Sequence, residues 1–215
     1  ALWPAEGRSA PVPRRLSLVP NLVAELSADC RFEIGAPAGS YYLQATIRQT
    51  PGPALGPLRS GDLIFTPLST NGQSVSVSGR AGEQINLGIL ASSTKFQGYS
   101  EKVETGISGR LIDEQGAPVA GLQVLAFTDR AMLSGLYAIS TVSDENGRFY
   151  LHLEEDARLY LQAKQDVSIG KPLFGKLTGI YGDKSPRQVK IEQGERLEQV
   201  EIVVAPYAAE ETTDK

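Results

Sequence analysis

Four side-chain types are nearly missing from this 215-residue chain: it holds one Cys, one His, one Met and one Trp. A single Cys, Cys30, cannot close an internal disulfide. It reads as a small buried side chain at the start of a strand. A single His, His152, rules out a zinc peptidase site, which needs at least two imidazoles or equivalents around the metal. The string His152-Leu-Glu-Glu155 does not rescue that chemistry, because positions i and i+3 of a strand point to opposite faces. A Ser-His-Asp triad would also have to recruit His152, and no Gly-x-Ser-x-Gly elbow is present. Without Cys-x-x-Cys-His the chain attaches no c-type haem. Without a Gly-rich loop between a strand and a helix, nucleotide chemistry is unsupported. No apolar run is long enough to span a bilayer. With a net charge of −4 and no basic cluster, nothing recommends nucleic acid as a partner.

What is present suits a folded protein: 41% apolar and 21% charged residues. The 22 Gly and 13 Pro are well spread, as expected of turns between short strands. The first residues, Ala-Leu-Trp, fit a processed N-terminus after signal cleavage or a trimmed one.

The chain repeats itself. Arg31-Phe32 recurs as Arg148-Phe149, Tyr42-Leu-Gln-Ala45 as Tyr160-Leu-Gln-Ala163, Pro57-Leu58 as Pro172-Leu173, and Gly82-Glu83 as Gly194-Glu195. These offsets are 117, 118, 115 and 112 residues, a drift that small loop insertions produce. Two tandem copies of one domain-sized unit are the economical reading. Cys30 aligns with Gly147.

The second copy is the clearer. Ile107–Asp113, Leu122–Thr128, Tyr137–Ser143, Arg148–Leu153, Arg158–Lys164, Arg187–Ile191 and Leu197–Val204 read as about seven strands. Asp144-Glu-Asn-Gly147 is a hairpin signal. In the first copy the candidates are Leu22–Ser27, Cys30–Ile34, Tyr41–Arg48, Ser74–Ser78 and Gln84–Ala91. One-turn helices could form at Leu22–Leu26 and Ala131–Leu136. The expected organisation is a divergent β-sandwich over residues 1–91, a linker over 92–105, a β-sandwich over 106–207 and a mobile acidic tail over 208–215.

Ile107-Ser-Gly-Arg-Leu-Ile-Asp-Glu-Gln-Gly-Ala-Pro-Val-Ala-Gly-Leu-Gln-Val, followed by Ser143-Asp-Glu-Asn-Gly-Arg-Phe, resembles the carboxypeptidase regulatory-like domain. The pattern is Asp-x-x-Gly-x-Pro-x-x-Gly after one strand and Asp-x-x-Gly-x-Phe before another, and it covers about residues 106–205. The resemblance implies an all-β fold: two tandem seven-stranded prealbumin-like (Ig-like) antiparallel sandwiches, the first copy joining through the internal repeat. It also implies a non-catalytic accessory module of an exported, periplasmic or surface protein, not a peptidase.

Asp113-Glu114, Asp144-Glu145 and Glu154-Glu155-Asp156 fall at turns, where solvated tips compete with a calcium site. Two loops stand out, Thr50–Phe65 and Ser168–Tyr181, because they combine Gly and Pro with large apolar side chains. Either they fold back on their own sandwich, or they present Leu58, Arg59, Leu63, Phe65, Phe174, Leu177, Ile180 and Tyr181 to a protein partner. Trp3 is a further candidate contact. The expected function is a non-catalytic interaction subunit without cofactor or metal, binding other protein subunits of a larger assembly. By the resemblance, multihaem cytochromes and surface filament proteins are candidate partners. The alternative is a carbohydrate-binding module using Tyr41, Tyr42, Tyr137, Tyr150 and Tyr160.

Overall fold

The computed structural model describes residues 1–5, 20, 22–51, 53, 55–67, 75–90, 93–98, 105–153, 155–167, 170–182 and 184–208. Among them there is no helix; the structure is all-β, and its sheets are mostly antiparallel. Neither one-turn helix forms. The chain divides into two compact units, with the change at Tyr99/Ser100 and with short pieces of the first half, including Leu55–Pro57, grouped with the second.

In the second unit, β7 (Gly106–Ile112) lies between β10 (Arg148–His152) and β14 (Arg196–Val203). The other sheet runs β15 (Ala205–Pro206), β12 (Leu177–Ile180), β11 (Ala157–Lys164), β8 (Gln123–Phe127), β9 (Leu136–Ile139), and β13 (Gln188–Ile191) also pairs with β11. Alternation explains the packing. Ile107, Leu111, Phe149, Leu151, Val200 and Ile202 point from the first sheet into one core with Val124, Ala126, Leu159, Leu161 and Ala163 from the second. Each Val, Leu, Ile or Phe among them contributes about 1.5–3 kcal/mol on burial. The run Gln123–Phe127 does not alternate because its sheet is covered on both faces: Leu125 and Phe127 pack with Met132 on the far side.

The chain changes sheets at two corners. At the first, Ser140 N–H donates to the Val124 carbonyl (2.9 Å), continuing β9 against β8, while Thr141 N–H donates to the Tyr150 carbonyl (2.8 Å), opening a pairing with β10. Asp144–Gly147 therefore closes a short hairpin between 141–144 and β10, whereas β9 itself stays in the other sheet. At the second corner β14 ends against β7 and, one residue on, β15 pairs with β12.

Two expectations are corrected here. The β7–β14 pair is parallel: Arg196–Val203 runs beside Gly106–Ile112 in the same direction. The register slips between Leu197 and Val200, with Gln199 at φ 65°, a bulge that absorbs the mismatch. There the Val200 carbonyl comes so close to Gly109 that a Cβ would overlap it, and the Val203 carbonyl stands in the same relation to Gly179 of β12. Second, β12 and β15 add to the seven expected strands, so nine are described in this unit.

The first unit holds two three-stranded sheets: β1 (Leu2–Pro4), β2 (Gly39–Leu43) and β5 (Ser76–Gly79), then β3 (Ala45–Ile47), β4 (Leu63–Phe65) and β6 (Ser93–Lys95). Its buried apolar residues are Leu2, Leu43, Leu58, Ile64 and Phe96. Leu22–Ser27, Cys30–Ile34 and the described part of Gln84–Ala91 are not strands; Leu22 makes one bridge to Leu2. The segment assigned to a linker carries β6, and Thr105 is buried, its hydroxyl accepting from Gly194 N–H (2.7 Å). The acidic tail beyond Ala208 lies outside the described residues.

Two landmarks of the internal repeat share local geometry. At Asp144–Arg148, Gly147 N–H donates to the Asp144 carbonyl (2.8 Å), Asp144 N–H to the Arg148 carbonyl (3.0 Å), and Arg148 N–H to the Asp144 carboxylate (2.8 Å). At Ser27–Arg31, Cys30 N–H donates to the Ser27 carbonyl (2.9 Å), Ser27 N–H to the Arg31 carbonyl (2.8 Å), and Arg31 N–H to the Ser27 hydroxyl (3.0 Å). Cys30 takes the left-handed conformation of Gly147, φ 59° against 71°. Cys30 is therefore exposed in a turn, not buried at a strand start. The second matched turn is Arg80–Glu83 with Glu192–Glu195. In each, the Glu carboxylate accepts from the N–H three residues back (2.8 Å in both) and the Glu N–H donates to that residue's carbonyl (3.1 and 2.9 Å).

Two substitutions test these readings. Gly109→Ala should lower the urea midpoint of the second unit by the equivalent of about 1–3 kcal/mol or more, since a backbone must yield to a methyl group. Cys30→Gly should stabilise the first unit by about 1 kcal/mol, the cost of a left-handed L-residue, whereas Cys30→Val should destabilise it.

Candidate functional site

The first loop is made of residues that cannot satisfy one another. Pro51, Pro53 and Pro57 bring carbonyls but no N–H. Arg59 supplies the donors, its guanidinium reaching the carbonyls of Thr50 (2.8 Å), Pro51 (2.7 Å) and Pro53 (3.2 Å). Asp62, wholly buried, fixes the other end. It accepts from Arg48 Nη1 (2.7 Å), Arg59 N–H (2.9 Å) and Gln49 N–H (3.2 Å). Burial pushes its carboxyl pKa up, but the Arg59 N–H, the Arg48 guanidinium and the Gln49 N–H more than offset that and hold it below the usual carboxylate value. Arg59 is thus committed inside its own loop, Leu58 is buried, and Leu63 and Phe65 are half-buried strand residues of β4.

The second loop divides. Leu177 and Ile180 belong to β12, and Leu177 and Tyr181 pack on the inner core while Ile180 packs on the Leu125–Phe127–Met132 cluster. The Arg187 guanidinium lies 5.8 Å from the Tyr181 ring centroid. Phe174 behaves otherwise. It is 78% exposed, next to Leu173 at 53%. The turn carrying them is pinned: Lys176 N–H donates to the Leu173 carbonyl (3.1 Å), Gly175 N–H to the Tyr207 carbonyl (2.9 Å), and Tyr207 N–H to the Lys176 carbonyl (2.9 Å). Lys171 and Lys176, both exposed, flank the apolar pair.

Of the eight sequence-selected residues, the structure gathers Leu177, Ile180 and Tyr181 in the packing of the second unit. It holds Leu58, Arg59, Leu63 and Phe65 within the first and leaves Phe174 outside. Leu173 was not among the eight. The repeat pairs it with Leu58, which is buried while Leu173 is exposed, so no sequence signal marked it.

Three of the carboxylates at the turns accept backbone hydrogen bonds. The Asp113 carboxylate accepts from Gln115 and Ala117 N–H (2.9 and 2.8 Å), and Asp144 does the same for Asn146 and Arg148 (2.9 and 2.8 Å). Asp156 accepts from Gln193 N–H (2.7 Å). Among the described residues no group of three His, Cys, Asp or Glu could hold a metal ion. Lys164 is buried in β11, donates to the Gly170 carbonyl (3.2 Å), and has its pKa lowered by burial against the pull of Asp166.

His152 stands edge-on to Tyr150, ring centroids 4.2 Å apart, and the Arg196 guanidinium lies 5.3 Å over the Tyr150 ring. The Tyr41 and Tyr137 hydroxyls donate to Pro37 O and Glu155 Oε1, and the Tyr160 hydroxyl accepts from Gln188 Nε2.

No protein-family model matches the chain, and no curated protein matches it in sequence. Among solved structures it is similar to one described as "Structure of the Streptococcal ancillary pilin", with a TM-score of 0.31 and 12% identity, over 80% of this chain and 46% of that one. The chain spans less than half of that structure's length, and a superposition this loose carries no argument about fold or function. Among the described residues no helix is long and apolar enough to cross a membrane.

Burial, with Arg196 repulsion added, lowers the His152 pKa to about 4 from an ordinary 6.5. Between those values the unfolded chain takes up a proton that the folded one refuses, so this stability is fully present above pH 6.5 and falls as pH drops toward 4. Wild-type protein should lose about 2 kcal/mol relative to His152→Gln between pH 7.5 and 4.5 in urea melts. Parallel curves for the two proteins would contradict the assignment.

Proposed function

We infer that this chain is a non-catalytic interaction subunit of an exported assembly, built from two tandem prealbumin-like sandwiches of the carboxypeptidase regulatory-like kind, and that it meets a protein partner through the Leu173–Phe174 turn. The repeated Ser27/Asp144 and Arg80/Glu192 turns support common descent of the two halves. The shared core of the second unit supports the sandwich reading.

The observation that carries the functional reading is Phe174 itself. A large aromatic at 78% exposure costs little as a single residue, but here it sits beside Leu173 on a turn locked to the terminal strand. A rigid apolar apex loses little freedom on docking, the condition under which an aromatic becomes a dominant contact. Lys171 and Lys176 fit it to an apolar socket with an acidic rim. Protein subunits of a surface or periplasmic assembly, such as filament proteins or multihaem cytochromes, are the partner class.

The experiment is photo-crosslinking in the source organism with benzoylphenylalanine at position 174 and, as control, at exposed position 133. One protein should dominate the adducts at 174, and Lys171→Glu with Lys176→Glu should reduce that adduct at least ten-fold, while Tm stays unchanged. Equal, diffuse labelling at both positions would remove the turn from the interface.

A further inference from the structure

The two corner crossings of the second unit join strands across its sheets. In the first unit β5 is the last strand of the order β1-β2-β5, and among the described residues no strand pairs with its outer side. The backbone direction at that edge follows from the bonds of β2. Ala5 N–H donates to the Ser40 carbonyl (2.8 Å) and Gln44 N–H to the Ala1 carbonyl (3.0 Å), so even-numbered residues of β2 face β1. Odd-numbered residues face β5, which makes Tyr41–Val77 and Gly39–Gly79 the hydrogen-bonded pairs of that ladder. The N–H and C=O groups of Ser76 and Ser78 therefore point outward.

The side chains leave this edge undefended. Edge strands of monomeric proteins are blunted by shortness, a covering loop, Lys, Pro, a bulge or an inward charge; β5 is short, four residues, but Val75-Ser-Val-Ser-Gly79 carries no Lys, Pro, bulge or inward charge. The segment also matches itself. An antiparallel copy related by a two-fold axis through Val77 sets Val77 against Val77 and Ser76 against Ser78 in both directions. No charge meets a like charge. The outward groups of Ser76 and Ser78 find four backbone bonds, and the hydroxyl pair Ser40–Ser78 (2.7 Å) extends to a second Ser76.

We propose that the outer edge of β5 is a self-association site, at which Ser76–Ser78 of one copy pairs antiparallel with the same residues of a second copy, joining two three-stranded sheets into one of six. Four backbone hydrogen bonds over an area below the ~1,000 Å² of a stable interface give a weak dimer that forms at high local concentration. Each copy carries a net charge of −4, so added salt should strengthen the pairing. The site is separate from the Phe174 turn, and either can fail without the other.

The test uses the full chain with Cys30→Gly to remove the native thiol. In the proposed geometry Val77 faces its symmetry mate in a non-hydrogen-bonded pair, the closest approach between antiparallel strands. Val77→Cys should oxidise to a covalent dimer at least ten-fold faster than Val23→Cys, an exposed control, and 0.5 M NaCl should accelerate it. Sedimentation equilibrium should show a concentration-dependent dimer that Val77→Lys abolishes with Tm retained and Phe174→Ala leaves intact. A monomer up to about millimolar concentration, with Val77→Cys crosslinking no faster than the control, would overturn the proposal and leave the edge to a strand of another protein.

Discussion

A two-sheet structure must do something with its open sides, and the second unit does it with covalent chain. Where β9 ends, Ser140 bonds back to one sheet and Thr141 bonds forward to the other. Where β14 ends, Val204 separates a strand of the first sheet from β15 of the second. Both crossings demand close backbone approach. Ser140 meets that demand with its side chain, its hydroxyl accepting from Val124 N–H (2.7 Å) and donating to its neighbour's carbonyl (2.7 Å). At the other corner the demand is met by a missing side chain at Gly179, as it is at the β14 bulge by Gly109. The core between the sheets can stay apolar because the polar backbone at its margins is satisfied locally.

The first unit has less apolar material to work with, and polar ties stand where packing is thin. Arg59 and Asp62 hold a proline-rich loop that has no means of closing itself. This explains why that loop spends large side chains without displaying them: Leu58 and Ile64 need the loop's shape to be buried, and the shape needs the buried carboxylate. Removing the Arg48 guanidinium would leave the Asp62 charge without its ion-pair partner in the interior, the costly way to break such a pair.

Legibility in the sequence followed the strength of the local signal. Alternation located β7, β10, β13 and β14 nearly to the residue, because one face of each meets the core, and it located β11 as well although its second half is buried on both faces. The Asp-x-x-Gly turns were readable because their carboxylates and glycines do local work. β4, β6 and β12 were not, being three or four residues long and embedded in Gly/Pro-rich sequence whose composition signals a loop; what makes them strands is the neighbour they pair with. The candidate interaction residues mixed two populations for the same reason, since apolar residues in a loop-like stretch look alike whether they turn inward, as Tyr181 does, or outward, as Phe174 does. Cys30 shows the reverse case. Its alignment with Gly147 already carried the information that the position is a left-handed turn, and the general tendency of cysteine toward burial pointed the other way.

The parallel pairing of β7 with β14 has a mechanical side. β7 opens the second unit and β14 is followed only by the two-residue β15, so tension applied at Gly106 and Val203 pulls the two strands past each other lengthwise. The bonds joining Arg196 through Val203 to Gly106 through Ile112 lie across that pull and are loaded together, and they cannot be unzipped singly from one end. A module wired in this way resists stretching far better than one whose terminal strands form a hairpin, a useful property for any link that must transmit force.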